Sequence, residues 1–505
     1  MFLSSLAGFL LAYSQPGSPA QWTVWIAPAP LMLLWHICRT KESSAYSFFT
    51  GFLFFGTVHL WGNVFGWEVW LAMTIYQSLF LAATGAAASL LLHNLKEDTV
   101  HKIIVPAICW TAGEHIKSLG PLGVNWGSLS YCHCNNIPIL QLAGITGMYG
   151  LTFITAGVSS SLAITAKMLF TGGKKNMKAA ISIIALLILP LIVYISGLIS
   201  ICLDRQSDFR IFKAGIIQPG FDMITKKDPR RGRFIVKEQL RLASECAKEN
   251  PQIIIWPETS IPGIFPNPYQ EEFMKQAAIE SGCDMIFGAV RSEDGKEFNS
   301  AIITDKKGSF KGIYSKRHLV PFGEYLPIPD KLRSIHPMMS LIPSLSPGTD
   351  CRVFKSGTTD FGIIICFESD FPQYAREETQ KGASFIAAIT NDGWFEHYSA
   401  AEHHAAWNSM RAAENHIPII QAANSGISML ASSDGKIIKR IELFNKGYRA
   451  EDIKISRAGT FYTHTGNWIM LICYAYLIIL IFAAAKNIKS AGKLRKKEAK
   501  NEKDS

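Results

Sequence analysis

The chain has 505 residues, of which 48% are hydrophobic and only 18% are charged, and its formal net charge is +10. This length accommodates two or three domains, and the composition is that of a membrane protein and argues against a wholly soluble one. The positive charge does not indicate nucleic-acid binding, because half of it lies in residues 486–505, where eight Lys or Arg and three Asp or Glu occur without interleaved aromatic residues.

Long apolar runs occupy residues 1–202 and return near the carboxyl end. Val69–Leu92, Ala179–Cys202 and Gly466–Ala485 contain no charged residue, and each is long enough to cross a bilayer. Weaker candidates bring the total to about eight: residues 2–14, 21–38, 44–66, 102–118 and 137–166. We therefore predict about seven transmembrane helices in residues 1–202, an eighth in 465–485, and a basic tail in 486–505.

Basic residues between these runs predict the orientation. Alternate connections carry Lys and Arg, whereas the intervening ones are nearly free of them; the basic residues are Arg39, Lys41, Lys96, Lys102, Lys167, Lys174, Lys175 and Lys178. The positive-inside rule places these loops and the tail in the cytoplasm. Residues 203–464 are then predicted to be extracytoplasmic.

Residues 203–464 change to short apolar runs that alternate with amphipathic stretches. Strands are predicted at Arg210–Ile217, Gln252–Trp256, Asp284–Val290, Ser300–Asp305, Ser309–Ser315, Gly362–Cys366, Phe385–Thr390, Ile417–Ala422 and Ile427–Ser432. Helical spacing is found in Ile235–Glu249 and Glu271–Ser281. This order predicts an α/β domain in which helices cover the sheets.

Three predicted strands end in residues with catalytic chemistry. Glu258 follows Ile253–Trp256 and Pro257, where partial burial suits a carboxylate to proton transfer. Lys316 ends a strand, where a fixed cation can stabilise an oxyanion. Cys366 ends a buried strand, where a nearby cation would lower its pKa and a carboxylate could take its proton.

Each of these residues also has an ordinary structural explanation. Glu258 could belong to a helix N-cap region, Lys316 could be a solvated edge residue, and Cys366 could be a small core residue. Cys351 is a weaker nucleophile candidate, since it lies in a charged loop without a preceding strand. The order of all three on strand ends favours the catalytic interpretation.

The other cysteines do not indicate a metal site. None of the ten shows C-x-x-C spacing, and Cys132 with Cys134 lacks a matching ligand pair, so zinc is not expected. Pairing among Cys246, Cys283 and Cys351 is left open, because an oxidising compartment would allow it.

The settings of Glu258, Lys316 and Cys366 resemble the Glu-Lys-Cys triad of the nitrilase, or carbon–nitrogen hydrolase, superfamily. Almost the whole chain resembles the membrane-embedded branch of that superfamily, the bacterial apolipoprotein N-acyltransferases. The matching stretches are Trp256–Thr259, Lys316–Pro327, Thr390–Phe395, Arg411–Asn415, Ala422–Ser428, Thr465–Trp468 and Trp110 with Glu114 and Asn125-Trp126.

The resemblance implies an αββα sandwich beside the membrane helices and a reaction in two steps. Glu258 would be the general base, Lys316 the stabiliser of the tetrahedral intermediate and Cys366 the acylated nucleophile. Glu324 and Glu368 match supporting acidic positions.

The implied partners are a phospholipid acyl donor, diacylglyceryl-modified apolipoproteins as acceptors, and membrane lipid. The implied location is the bacterial cytoplasmic membrane, with the catalytic domain on its periplasmic face. No cofactor, metal or nucleic acid is implied.

The chain departs from the family pattern at several positions around the site. Phe367 stands where Tyr commonly follows the nucleophile, Lys227 replaces an aromatic residue, Glu396 replaces a glycine and Lys117 replaces an arginine. The departures predict altered substrate contacts around Phe367, Asn391 and Trp394 with the chemistry retained. Segments 394–398 and 328–347 are candidate lids, since two bulky substrates must alternate at one site.

Two other functions are compatible with the residues alone. One is a membrane-anchored amidase of the nitrilase type, in which water is the final acceptor. The other is a transporter or scaffold with a silent domain, which the few charged groups inside the predicted spans do not favour.

Overall fold

The computed structural model describes residues 1–95, 99–171, 177–204, 208–327, 342–395, 399–456 and 458–504. The predicted lid segments and Glu396 therefore lie wholly or partly outside the described residues. The chain begins with helices α1 Phe2–Tyr13, α2 Ala29–Ile37, α3 Thr40–Val58, α4 Trp67–Asn94, α5 Thr99–Lys117, α6 Ile137–Leu140, α7 Ala143–Thr171 and α8 Met177–Asp204.

Four described helices are long and apolar enough to cross a bilayer: Trp67–Asn94, Ala143–Phe170, Leu187–Asp204 and Trp468–Ser490. The count of about eight is not confirmed. The predicted run 21–38, for example, divides into a short 3-10 helix and the nine residues of α2. The carboxyl-terminal helix continues to Asp504, through the segment predicted as a separate basic tail, because Lys, Ala and Glu favour helix.

The polar segment forms two β-sheets. Its strands are β1 Arg210–Gln218, β2 Ile253–Ile255, β3 Ile261–Phe265, β4 Asp284–Glu293, β5 Lys296–Thr304, β6 Phe310–Ser315, β7 Phe354–Ser356, β8 Thr359–Ile365, β9 Phe385–Thr390, β10 Ile419–Ala423, β11 Ser428–Ala431, β12 Ile437–Ile441 and β13 Gly447–Ile455. The first sheet has the order β13-β1-β2-β4-β5-β6 with β3 paired to β4, and the second has the order β12-β11-β10-β9-β8-β7. All nine predicted strands are present, and β3, β7, β12 and β13 were not predicted.

The two sheets pack face to face through apolar side chains. Phe212 of β1 contacts Phe385 of β9 across the sheets, with ring centroids 5.0 Å apart, and Phe385 stacks on Phe361 of β8 at 5.3 Å. These rings belong to one cluster of buried apolar residues contributed by both sheets.

Helices cover the outer faces of both sheets. The helices of this domain are α9 Met223–Lys227, α10 Gly232–Ala247, α11 Pro268–Ser281, α12 Pro372–Gln380, α13 Ala400–Asn415 and α14 Phe461–Thr465. Helices α10 and α11 pack on the first sheet, and α12 and α13 pack on the second. The predicted αββα layering is confirmed.

Helix α13 lies between the second sheet and the membrane helices, and every residue in it except Glu402 is buried. At Gly147 the backbone of α7 leaves the helical conformation with φ 67°, a conformation that favours glycine. The N–H of Met148, just beyond this break, donates to the carboxylate of Glu414 in α13 at 2.9 Å.

A second contact between the two parts involves Asp370. Its carboxylate accepts from the backbone N–H of Asn125 at 2.7 Å, and its carbonyl oxygen accepts from the Asn125 amide at 2.9 Å and the Tyr131 hydroxyl at 3.1 Å. All three side chains are buried. These paired polar groups fix the sandwich on the helical part in one orientation.

Candidate active site

Glu258 lies in the turn after β2 and is only 6% exposed. Gly288 of β4 makes room for this turn, because a Cβ atom there would lie 2.3 Å from the carbonyl oxygen of Pro257. The Asn299 amide, from β5, donates to Glu258 Oε1 at 2.6 Å. The carboxylate is therefore held in one position before any substrate binds.

Lys316 follows β6 directly and is 1% exposed. Its Nζ lies 3.6 Å from Glu258 Oε1 and 2.9 Å from Glu324 Oε2. Burial by itself would lower the pKa of Lys316, but Glu324, Cys366 and Glu258 together outweigh it and raise the pKa above its usual value. The side chain is an ammonium ion at neutral pH.

Glu324 and Asn299 complete the surroundings of the ammonium. Glu324 Oε2 accepts from the N–H of Val320 at 2.8 Å, and its Oε1 accepts from the Asn299 amide at 2.8 Å. Asn299 thus donates to both carboxylates that flank Lys316. The sequence did not identify Asn299, which directly precedes the predicted strand Ser300–Asp305 and lies in the polar half of β5.

Cys366 is the residue directly after β8 and begins a 3-10 helix that ends at Asp370. Its φ is 52°, in the left-handed region that residues with a Cβ atom seldom adopt. Burial raises the pKa of the Cys366 thiol above its usual value; Glu258 raises it further, whereas Lys316 lowers it. Burial and Glu258 therefore favour the neutral thiol over the thiolate.

Glu368 lies two residues beyond Cys366 and is fully buried. Its carboxylate accepts from the N–H groups of Ile365 at 2.7 Å and Arg317 at 2.6 Å, and from the Tyr314 hydroxyl at 2.9 Å. Burial raises the pKa of Glu368 although these N–H groups oppose it. The carboxylate does not contact Glu258 or Lys316; it joins the two turns that carry Lys316 and Cys366.

Lys226 of α9 is a site residue that the sequence did not predict. Its Nζ donates to the backbone oxygen of Glu258 at 2.9 Å. Burial lowers the pKa of Lys226 to about 8, against the opposing effect of Glu258 and Cys366. Lys226 therefore places a second amino group, with a lower pKa than that of Lys316, near Glu258 and Cys366.

Phe367, the aromatic residue after Cys366, packs among other rings. The Phe367 ring lies 5.1 Å from Phe371 and 5.6 Å from His318, measured between centroids. Phe367 is only partly buried and also packs against the membrane-side apolar core. Phe367 therefore packs as an apolar residue, through ring contacts and contacts with this core.

Asn391 and Trp394 lie at and beyond the end of β9. The Asn391 Oδ1 atom accepts from the Asn424 amide at 3.1 Å. The Trp394 ring contacts Phe65 in the helical part, with centroids 5.8 Å apart. The segment around Trp394 thus rests on the membrane helices.

Aromatic residues continue this contact between the site and the helical part. Trp61 and Trp126 stack at 4.9 Å, and the Phe395 ring packs edge-on against both, at 4.9 and 5.7 Å. An aromatic cluster therefore joins the membrane helices to the loop that follows β9.

Cys366, Asp392 and His404 place their ligand-type atoms within 4.8 Å of one another. Both ring nitrogens of His404 are already hydrogen-bonded, Nδ1 to Asp392 Oδ1 and Nε2 to the carbonyl oxygen of Cys366. The imidazole has no free lone pair for a cation, so we do not assign a metal site to this group.

All ten cysteines, including Cys246, Cys283 and Cys351, are free thiols.

Two family models match the chain. Residues 7–161 match the apolipoprotein N-acyltransferase N-terminal domain, and residues 235–462 match the carbon-nitrogen hydrolase family.

Curated relatives match almost the full length. An apolipoprotein N-acyltransferase of Geobacter metallireducens is 28% identical over 94% of this chain and 93% of its own length. Apolipoprotein N-acyltransferase 2 of Treponema denticola is 26% identical, with 90% and 91% covered, and the Thermotoga maritima protein is 26% identical, with 95% and 93% covered.

Solved structures similar to the sandwich include Saccharomyces cerevisiae Nit3, a member of the nitrilase superfamily. It is 16% identical and covers 48% of this chain and 90% of its own, with a TM-score of 0.39. A carbon-nitrogen hydrolase from Helicobacter pylori is 17% identical, with 48% and 89% covered and a TM-score of 0.38.

Proposed function

The chain belongs to the apolipoprotein N-acyltransferase family, and we propose that it acylates lipoproteins through a thioester on Cys366. The acyl donor is a phospholipid. The acceptor is the α-amino group of the diacylglyceryl-cysteine at the start of an apolipoprotein. Glu258 is the general base and Lys316 stabilises the tetrahedral intermediate.

In the first step, Cys366 Sγ attacks the ester carbonyl carbon of the phospholipid. Glu258 takes the thiol proton as the C–S bond forms, and the Lys316 ammonium donates to the oxyanion. When the intermediate collapses, the ester C–O bond breaks and Glu258 returns the proton to the leaving oxygen. The lysophospholipid departs and the acyl chain remains on sulfur.

In the second step, the lipoprotein amine attacks the thioester carbonyl carbon. The C–N bond forms, the C–S bond breaks, and Glu258 moves the amine proton to the departing thiolate of Cys366. The raised pKa of Cys366 favours this return to the neutral thiol. Lys316 again faces the oxyanion, because both steps pass through the same tetrahedral geometry.

The single observation that carries this proposal is the buried contact of Lys316 Nζ with Glu258 and Glu324, at 3.6 and 2.9 Å. Burying three charged groups is costly and is a poor way to gain stability. A fixed ammonium beside a base and a thiol is the arrangement that acyl transfer requires. Glu324 stabilises the ammonium while Glu258 exchanges protons.

We place the catalytic domain on the periplasmic face of the bacterial inner membrane, following the distribution of basic loops. The ring contacts of Trp394 with Phe65 and of Phe395 with Trp61 join the site to the membrane helices, and this proximity supports a lipid acyl donor. An amidase that releases its acyl group to water is not favoured, since the relatives that match at full length are N-acyltransferases.

The test is intact-mass analysis of the purified protein after incubation with a phospholipid of defined acyl chain. We expect one acyl adduct, mapped to Cys366, that disappears when a diacylglyceryl-cysteine peptide is added, with the peptide gaining the same mass. The Cys366→Ala variant should form no adduct, whereas Cys351→Ala should form it normally. An adduct on another cysteine, or release of free fatty acid with no peptide product, would refute the proposal.

A further inference from the structure

A buried histidine lies directly beneath the nucleophile turn and has no part in the steps above. His404, on α13, is 1% exposed. We propose that His404 is held as an imidazolium that donates two hydrogen bonds, and that it acts as the positioning residue for the Cys366 turn. Its importance for acyl transfer rests on the proposed function, whereas its protonation does not.

The hydrogen-bond partners of His404 determine its protonation state. Nδ1 lies 2.8 Å from Asp392 Oδ1, and Nε2 lies 3.0 Å from the backbone oxygen of Cys366. An ionised carboxylate and a backbone carbonyl only accept hydrogen bonds. Both ring nitrogens must therefore carry a proton, and the ring is positively charged.

Two donors approach the Asp392 carboxylate at Oδ1, whereas its Oδ2 atom has no hydrogen-bond partner among the described residues. The same Oδ1 atom accepts a hydrogen bond from the Thr390 hydroxyl at 2.8 Å. Asp392 is fully buried, so its charge needs a nearby cation, and His404 is in contact. The pair is neutral as a whole, which makes its burial tolerable.

Several groups act on the imidazole from the elements packed around it. Burial opposes its charge, but Asp392, the Cys366 carbonyl and Glu258 favour the charge and raise the pKa of His404 above its usual value. The Trp407 ring, on the same helix, lies 5.0 Å away. The direction of this shift agrees with the hydrogen-bond geometry.

The imidazolium is not the base for the thiol. Its Nε2 contacts the Cys366 carbonyl oxygen, and its Nδ1 is taken by Asp392. What His404 holds is the backbone of Cys366, whose φ of 52° is disfavoured and persists only where surrounding groups maintain it. Removing this hydrogen bond should let the turn relax and move Sγ away from Glu258 and Lys316.

The neighbouring His403 provides a matched control. It is also 1% exposed and lies on the same helix, but neither of its ring nitrogens has a hydrogen-bond partner among the described residues. His403→Gln therefore removes an equally buried imidazole without removing a contact to the Cys366 turn.

The first experiment is NMR of the full-length protein in detergent with 15N-labelled histidine side chains. We expect one histidine with the chemical shifts of an imidazolium at pH 7.5, and this signal should vanish in His404→Gln and persist in His403→Gln. The Asp392→Asn variant should convert it to a neutral ring. A neutral His404 at pH 7.5 in the unaltered protein would overturn the proposal.

The second experiment measures alkylation of Cys366 by iodoacetamide, followed by peptide mapping, and needs no lipid. His404→Gln should change the alkylation rate and should slow thioester formation from phospholipid about tenfold to a hundredfold, as expected for a displaced nucleophile. His403→Gln should stay within about twofold. Equal effects of the two variants would contradict a positioning role.

These readouts separate the two proposals. If no lipid thioester forms in any variant, the proposed function fails, while the NMR and alkylation results still decide the protonation and the role of His404. If the thioester forms equally well in His404→Gln, the positioning role fails and the proposed function stands.

Discussion

The carboxylate of Glu368 accepts a hydrogen bond from the backbone N–H of Arg317 at 2.6 Å. Arg317 follows Lys316 at the end of the first sheet, and Glu368 belongs to the turn of Cys366 at the end of the second sheet. One buried side chain thus links the turns that carry the candidate cation and the candidate nucleophile. The relative position of the two groups depends on this contact as well as on sheet packing.

Glu368→Gln should weaken both the fold and the reaction. The amide can satisfy only part of the set of N–H and hydroxyl donors around Glu368, so we expect a loss of about 1–3 kcal/mol in stability and slower thioester formation. Thermal unfolding in detergent and acyl-adduct mass measure the two effects. Glu377→Gln is the control, because Glu377 pairs with the Arg317 side chain at a more exposed position, where ion pairs contribute little. Equal losses in both variants would argue against a linking role.

The thiol of Cys366 should respond in opposite directions to changes in its two charged neighbours. Glu258 raises the pKa of Cys366 and Lys316 lowers it. At pH 8.5, Glu258→Gln should therefore speed alkylation by iodoacetamide and Lys316→Met should slow it, although both abolish turnover. The comparison is made from pH profiles of alkylation, measured in proteins that also carry Cys351→Ala. If both substitutions changed the alkylation rate in the same direction, one of the two residues would not act on the thiol of Cys366.

Asn299→Leu tests the amide that joins the two carboxylates. The substitution removes the hydrogen bonds that Asn299 donates to Glu258 at 2.6 Å and to Glu324 at 2.8 Å, so the two carboxylates lose their common donor. We expect kcat to fall about tenfold or more with KM nearly unchanged, since misplaced groups affect the chemical step. Steady-state kinetics with phospholipid and a diacylglyceryl peptide provide the measurement. An effect confined to KM would assign Asn299 to substrate binding.

Asp370 should make stability depend on pH in a defined range. Burial raises the pKa of Asp370 from 3.8 to about 6. The folded state therefore holds this proton more tightly than the unfolded state, so the stability it contributes is present below pH 3.8 and is lost as pH rises through 6. The loss is at most about 3 kcal/mol, from 1.36 kcal/mol per pKa unit.

The free energy of unfolding of the wild type and of Asp370→Asn, measured between pH 4 and pH 8, tests this pH dependence. The asparagine keeps an acceptor for the Asn125 N–H, so the variant should be less sensitive to pH over that range. Identical pH profiles would show that folding does not raise the pKa of Asp370.

Phe367→Tyr should be tolerated. The ring is partly buried among Phe371 and His318, and an added hydroxyl leaves those ring contacts in place. We expect thioester formation within about twofold of the wild type, since a partly exposed hydroxyl can remain hydrated. A loss above tenfold in the acyl-adduct assay would mean that the space beside Phe367 is occupied by substrate.

Much of the fold followed from local patterns. The predicted strands around Gly362–Cys366 and Phe385–Thr390 are apolar runs that need burial on both faces, which is a property of the segment alone. The strand β13 was missed because its apolar residues, Tyr448, Ala450, Ile453 and Ile455, do not keep a strict alternation. Its pairing with β1, more than 200 residues away, makes it a strand. The count of about eight spans is not confirmed, because short apolar runs such as that of α2 do not reveal whether a helix is long enough to cross a bilayer.

The sequence by itself determined which chemical groups stand at strand ends, Glu258, Lys316 and Cys366, because a strand and the residue that follows it are neighbours in the chain. Only the tertiary structure decided how these groups are supported. Asn299 bridges the carboxylates, Glu368 joins the two turns, and His404 holds the Cys366 carbonyl. These contacts join residues from 25 to 54 positions apart. Their geometry depends on how two sheets and a buried helix pack, which no local pattern records.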